Sequence, residues 1–334
     1  MKNAKKTIDI VIFRFDRLEL EKALEAAVAR GVVVRALIAH TNRGGEKMLR
    51  KLELRLLDAG VTVARTADDL TRYHGKMMIV DDTLHVYGFN YTRLDIEKSR
   101  SFGVITDDPK LVKEACALFE ADCTRQAYAP KHDELVVSPE SSRDILTAFI
   151  KKAKKELLIY DAKISDRLIL RVLAERAKAG VEIRMFGKLG KGASGIEARK
   201  LPDLRLHVRA IIRDGGAAFL GSQSLRKLEL DARREIGIVI SDERVVKKMR
   251  DVFEADWALT PEAKQAAEKN KDKEKEKDKE KEKEGEKTKK KEELPEQYPV
   301  ELPPGLTVRF KAEEVAEKEK LEAKKRSFLY MDLK

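Results

Sequence analysis

Near its start the chain places apolar residues at alternate positions, Ile8, Ile10 and Ile12, a period of two that predicts a strand. Leu20, Leu24, Ala27 and Val28 follow at spacings of three and four, which predict an amphipathic helix. Gly31 stands where such a helix ends in a left-handed cap. Val32 to Ile38 reads as the next strand. After a variable connection, three further β runs are expected near 76–80, 84–88 and 102–106, and residues 109–123 close the series as a helix. Strands alternating with helices predict an α/β layered fold with a mixed sheet.

The pattern is then written a second time. Ala4-Lys5-Lys6 before the first strand returns as Ala153-Lys154-Lys155 before Leu157 to Tyr160, and Gly31 returns as Gly180, 149 positions on. His74 returns as His207, 133 positions on, and Phe119-Glu120-Ala121-Asp122 as Phe253-Glu254-Ala255-Asp256, at 134. The falling offset places a connecting loop shorter by about 16 residues in copy two. Residues 243–257 read as its closing helix, where Trp257 aligns with Cys123 and is expected in the core. The organisation expected is a first repeat over 1–130, a linker over 131–141, a second repeat over 142–258, a Lys/Glu-rich low-complexity linker over 259–297 and a tail over 298–334, Pro-rich and then helical. Copy two has a helical segment, Ser142 to Lys152, before its Ala-Lys-Lys, whereas copy one begins at Met1. That difference predicts a start inside a helix whose first turns are missing, with any export signal or membrane anchor lying upstream.

Composition narrows the class of partner. Charged residues make up 39% of the 334, yet from Lys271 to Glu293 nearly every residue is charged and the signs almost cancel, so +10 of the net +11 resides on the body, the rest of the chain. Such a body favours anionic partners, among them nucleic acid, anionic headgroups and phosphoesters. No run approaches the ~18 apolar residues of a membrane span, so a protein in the cytoplasm or peripheral to a membrane is expected. Cys116 and Cys123, seven apart on a helix, lie about 10 Å apart along its axis, beyond disulfide reach. Two cysteines and five scattered histidines give no zinc-ligand spacing, and no cofactor is expected. His40, His85 and His132 have no matched partner in the other copy and read as loop or strand residues.

The chemistry concentrates where the repeats match. Copy one reads His74-Gly75-Lys76, then Asp81; copy two reads His207-Val208-Arg209, then Asp214. On a strand, positions two apart share a face, so imidazole and cation are expected to point the same way. Each aspartate, seven from its histidine, is expected on the opposite face, fixing the following turn. Polar turns follow, Gly88-Phe89-Asn90-Tyr91 and Gly221-Ser222-Gln223-Ser224. A nucleophile approaching an anionic phosphodiester needs fixed cations and donors, and Lys76, Arg209, Asn90, Ser222, Gln223 and Ser224 are the candidates for binding that phosphate.

These paired motifs resemble those of the phospholipase D superfamily, His-x-Lys-x4-Asp followed by Gly-Ser-x-Asn, over residues 1–258. The resemblance implies two tandem repeats packed about a pseudo-two-fold axis, a monomer with an internal pseudo-dimer. It implies His74, Lys76, Asp81, His207, Arg209, Asp214 and Glu235 as catalytic residues. It further implies metal-independent chemistry in which one histidine attacks phosphorus and the other protonates the leaving alkoxide. Glu235 matches the family's downstream carboxylate, whose counterpart in copy one is Ser101. It is expected to hold His207 as general acid, leaving His74 neutral as nucleophile. Arg209 departs from the expected lysine, Ser224 from asparagine, and copy one is one residue short before Asn90, with Phe89 where the serine-bearing turn is expected. The substrate expected is a phospholipid or similar phosphodiester, with peripheral membrane contact. The alternatives are a nuclease acting on DNA or RNA and a catalytically weak anion-binding scaffold.

Overall fold

The computed structural model describes residues 1–41, 46–192, 194–266 and 268–269, together with the backbone of 328–333. Copy one runs β1 (Thr7–Ile12), α1 (Leu18–Ala29), β2 (Val33–Ile38), α2 (Glu46–Asp58), β3 (Thr62–Arg65), β4 (Arg72–Tyr73), β5 (Met77–Val80), β6 (Thr83–Tyr87), α3 (Arg93–Glu97), β7 (Ser99–Thr106) and α4 (Pro109–Thr124). β8 (Leu135–Ser138) follows. Copy two runs α5 (Ser142–Lys151), β9 (Glu156–Ile164), α6 (Arg167–Lys178), β10 (Glu182–Leu189), β11 (Glu197–Arg199), β12 (Arg205–Leu206), β13 (Arg209–Arg213), β14 (Ala217–Gly221), α7 (Lys227–Asp231), β15 (Arg233–Ile240) and α8 (Glu243–Ala258), and β16 (Phe328–Leu333) comes last.

Both copies build the same sheet, β7-β6-β5-β1-β2-β3 and β15-β14-β13-β9-β10-β11. A helical crossover makes β1 and β2 parallel, as it does β9 and β10, and β2–β3 and β10–β11 are parallel too; the β5–β6 and β13–β14 hairpins are antiparallel, as are β1–β5 and β9–β13. The cap glycines behave as their spacing predicts. Gly31 and Gly180 sit at φ +85° and +87°, and the N–H of the residue after each donates back to the helix, Val32 to Ala27 and Val181 to Arg176. The shorter connection of copy two is the stretch in which copy one carries α2 and β3.

The copies exchange strands. β12 of copy two pairs with β7, and β4 of copy one pairs with β15, both in parallel. Between the sheets lies a shared core containing Phe102 and Phe119 of copy one with Tyr160, Phe186, Phe253 and Trp257 of copy two. Trp257 stacks on Phe253, as its alignment predicts. The seam is also bolted by two reciprocal ion pairs, both buried. Arg100 donates to both oxygens of Asp256, at 2.8 and 2.6 Å, and Arg234 donates to Asp122, at 3.1 Å. These residues are repeat counterparts, so the pseudo-two-fold relation extends to side chains.

Two boundaries differ from expectation. The 131–141 stretch contains β8, which pairs antiparallel with β15, so it completes the second sheet and does not merely link the copies. The apolar residues Phe328 to Met331, expected to end a helix, form β16, which pairs in parallel along Ser101–Thr106 of β7. β16 thus fills in the first sheet the edge that β8 fills in the second. Helix continues over 261–266; the rest of the Lys/Glu-rich stretch beyond 269 and the Pro-rich tail to 327 lie outside the described residues.

Candidate functional site

Each histidine is delivered to the other copy by the exchanged strands. β4 runs beside β15 with Arg72 opposite Arg233 and Tyr73 opposite Arg234, so the next residue, His74, arrives beside Glu235. The N–H groups of His74 and Gly75 both donate to the Arg234 carbonyl, at 2.7 and 3.0 Å. Gly75 is needed there: a Cβ would stand 2.5 Å from the Ile236 side chain. In mirror fashion, β12 runs beside β7, and Val208 N–H donates to the Arg100 carbonyl.

This register corrects the expected partner of Glu235. Its Oε2 lies 2.8 Å from Nδ1 of His74, and not against His207, because the exchange of β4 and β12 crosses each histidine to the opposite copy. His207 Nδ1 instead donates to the Gly88 carbonyl at 3.1 Å, and its Nε2 faces Asp95 Oδ2 at 3.5 Å. Asp95 lies on α3 and was not singled out by the sequence pattern.

The His-x-Lys segments also differ from expectation. His74 and Lys76 precede β5, and His207 precedes β13, so the residues are not set side by side on a strand. Lys76 Nζ instead folds back onto the carbonyl of His74, and Arg209 onto that of His207. Each cation is therefore tied to the backbone of its own histidine. Phe13, at the end of β1, packs edge-on against His74 with centroids 4.5 Å apart, and the Lys76 ammonium lies 5.3 Å from its ring centre.

Asp81 and Asp214 stand at the far ends of their strands. Asp81 has φ +51° and accepts from the N–H groups of Lys5, Lys6 and Thr7; Asp214 has φ +54° and accepts from Lys154, Lys155 and Glu156. They bolt the β5–β6 and β13–β14 turns to the starts of β1 and β9. That is a structural task, which takes them out of the catalytic group implied by the resemblance.

The polar turns divide. Asn90 donates from N and Nδ2 to Asp95 Oδ2, at 2.9 and 2.7 Å, and its Oδ1 is buried without a hydrogen-bond partner. Ser222 Oγ accepts from the N–H of Ile236, the residue after Glu235. Gln223 donates its amide to the Val136 carbonyl and Ser142 Oγ, and Ser224 donates to buried Asp161, so both are committed to holding copy two together. Neither is placed as a phosphate contact. The residue missing from copy one is accounted for by the hairpin turn, since Gly88 N–H pairs with Phe102 as Ser222 N–H pairs with Ile236. Gly88, and not Phe89, therefore occupies the serine position.

Burial and cations together set the electrostatics. Burial, then Lys76, Arg209, Arg233 and Arg72, push the His74 imidazole well below its usual range. Burial and Arg209 do the same to His207, opposed by Asp95 and reinforced by Lys76 and Arg205. That Lys76 and Arg209 act on both rings places the two motifs in one field. Burial brings the Lys76 ammonium down to about 7, against the pull of Glu235. It also pushes the Glu235 carboxyl up, against Lys76 and Ser222. Arg72, Arg205 and Arg233, which no motif flagged, add to this cationic seam. The pattern that could have found Arg72 and Arg205 is their matched position, each two residues before its histidine.

Among the described residues, no group of three or more His, Cys, Asp or Glu is arranged to hold a metal ion, and no helix is long and apolar enough to cross a membrane. Residues 1–123 match the family described as cardiolipin synthase, PLD-like domain. Over 112 residues the chain is 27% identical to a mitochondrial cardiolipin hydrolase of Danio rerio, covering 33% of this chain and 48% of that protein. The chain thus spans about half the length of that curated relative. A polyphosphate kinase from Porphyromonas gingivalis superposes with a TM-score of 0.63 at 17% identity, covering 76% of this chain and 46% of that one. A phosphatidylserine synthase from Haemophilus influenzae Rd KW20 gives 0.57 at 12% identity, over 75% and 80%. At such identities the two structures attest the fold alone, over more of the chain than one repeat spans. The paired motifs, the doubled mixed sheet and the family match over residues 1–123 together make this chain similar to the phospholipase D superfamily.

Proposed function

We propose that the protein cleaves a phosphodiester through a covalent phosphohistidine, with a phospholipid as substrate and water or an alcohol as acceptor. The observation that supports this most is the reciprocal delivery of His74 and His207 across one seam, beside the buried cation Lys76 and the half-buried Arg209. Nδ1–H of His74 donates to Glu235, which leaves the Nε2 lone pair free to attack phosphorus. The P–N bond forms as the P–O bond to the leaving alkoxide breaks, and His207 gives that oxygen its proton. Glu235 then faces the cationic ring of the phosphohistidine and stabilises it. In the second step His207 takes a proton from water or an alcohol, whose oxygen displaces His74 from phosphorus. Lys76, Arg209 and Asn90 Nδ2 offset the charge gathering on the phosphorane oxygens.

A nuclease reading is favoured by Arg72, Arg205 and Arg233, cations beyond those of the motifs that suit a polyanionic strand. The test is incubation with 32P-labelled phospholipids and, separately, labelled single-stranded DNA, followed by acid quench and mapping of acid-labile label. Label on His74 that is absent in His74→Ala supports the mechanism, and the substrate that yields it chooses between the readings. Label mapped to His207 would reverse the two roles. Salt-sensitive binding without turnover of either substrate would leave an anion-binding scaffold.

A further inference from the structure

We propose that Asp95, reaching across the seam from α3, is the positioning residue of His207: copy one's carboxylate for the opposite histidine as Glu235 is copy two's, though it faces Nε2 where Glu235 meets Nδ1. This rests on the reading of His207 as proton donor given above. The repeat defines the need. Glu235 on β15 meets His74, and its counterpart on β7 is Ser101, whose Oγ donates to the Asp95 carbonyl and offers no charge to His207. The carboxylate that does face His207 comes six residues earlier, from a different element.

A helix-capping task alone does not explain Asp95. Thr92 caps α3 by accepting from Asp95 N–H, and a reciprocal box would turn the Asp95 carboxylate back to Thr92 N–H. That N–H donates to the Asn90 carbonyl instead. Asp95 Oδ2 accepts from Asn90 and faces His207, while Oδ1 accepts from Arg205 Nη1 at 2.6 Å. Glu229, at the same position of α7, turns to Arg226 and Arg233, both of its own copy. Two acids at matched positions thus point to different tasks, and the one whose copy lacks a carboxylate on its β7-type strand points across the seam. Asp95 is 2% exposed, so solvent does little to weaken its field.

The geometry also says how Asp95 acts. A backbone carbonyl only accepts, so His207 carries hydrogen on Nδ1, and Nε2 is the atom whose proton comes and goes. With Nε2 bare, two lone pairs face one another at 3.5 Å; with Nε2 protonated, the pair attracts. Asp95 therefore favours the charged ring against the other groups facing it, Arg205 from β12, Arg209 from β13 and Lys76 ahead of β5.

Asp95→Asn keeps the shape and removes the charge. For an alkyl phosphodiester, whose alkoxide must be protonated, kcat is expected to fall about 30-fold, less than the ~100-fold or more of losing the general acid itself. For the p-nitrophenyl phosphodiester, whose leaving group needs no proton, the fall should stay within about threefold, and Asp95→Glu should recover the alkyl ester. Equal losses on both esters would reduce Asp95 to a structural residue and overturn the assignment. A second arm needs no turnover: 15N-histidine spectra of the full chain in excess inorganic phosphate, from pH 4 to 8. A His207 that protonates at lower pH in Asp95→Asn than in wild type, with His74 unmoved, supports the assignment. Identical His207 protonation in both proteins overturns it. If wild type turns over neither ester, the phosphodiesterase reading fails and the spectra alone decide Asp95.

Discussion

Arg234→Met tests whether the seam between the copies is held as the buried ion pairs indicate. Arg234 donates to Asp122, to the Ser138 carbonyl and to Glu140, and both Arg234 and Asp122 are about 5% exposed. Burial already lifts the Asp122 carboxyl from 3.8 to about 6 despite Arg234. Holding it ionised in the folded state costs about 3 kcal/mol above pH 6, the two-unit rise multiplied by ~1.4 kcal/mol per unit. Removing the cation raises that carboxyl further, so a loss of about 3–5 kcal/mol is expected near pH 8. The sign with pH follows from proton counts. An acid raised in the fold binds more protons folded than unfolded between pH 3.8 and its folded value, so stability falls as pH rises through that window. The deficit of Arg234→Met should therefore be smaller at pH 5 than at pH 8. Urea unfolding at both pH values measures it, and Asp122→Leu/Arg234→Met, which leaves no orphaned charge, should recover most of the loss at pH 8. A single variant within 1 kcal/mol of wild type at pH 8, or one no better at pH 5, would refute the reasoning.

Three further outcomes are expected. Glu235→Gln still accepts from His74 Nδ1–H but cannot balance a cationic ring, so kcat for phosphodiester cleavage should fall about 100-fold with little change in KM, measured by steady-state kinetics. Lys76, brought to about 7 by burial, loses its charge as pH rises past neutrality; in Lys76→Arg the charge persists, and a pH–rate profile should show the alkaline fall moved upward. Deleting residues 328–334 removes β16, and hydrogen exchange at the Ser101–Thr106 amides should quicken while those of the Glu235–Ile238 edge, covered by β8, stay protected.

The repeat, the order of helices and strands, the cap glycines and the two histidines are all legible in the chain, because each depends on periodicity or spacing within a few turns of backbone. Asp81 and Asp214 illustrate the limit: their spacing from the histidines is plain, yet only the fold shows that they grip the residues before β1 and β9. Glu235 was legible as a residue but not in its pairing, since its partner is set by the parallel register of β4 on β15, a contact between segments some 160 positions apart. Asp95 and Phe13 carry no motif at all; Phe13 becomes visible when copy one folds and brings His74 against it, and Asp95 only when the copies close on each other. Local sequence thus fixes what each half can form. Tertiary structure decides which carboxylate meets which imidazole, because crossing a strand between two sheets exchanges partners without changing any local pattern.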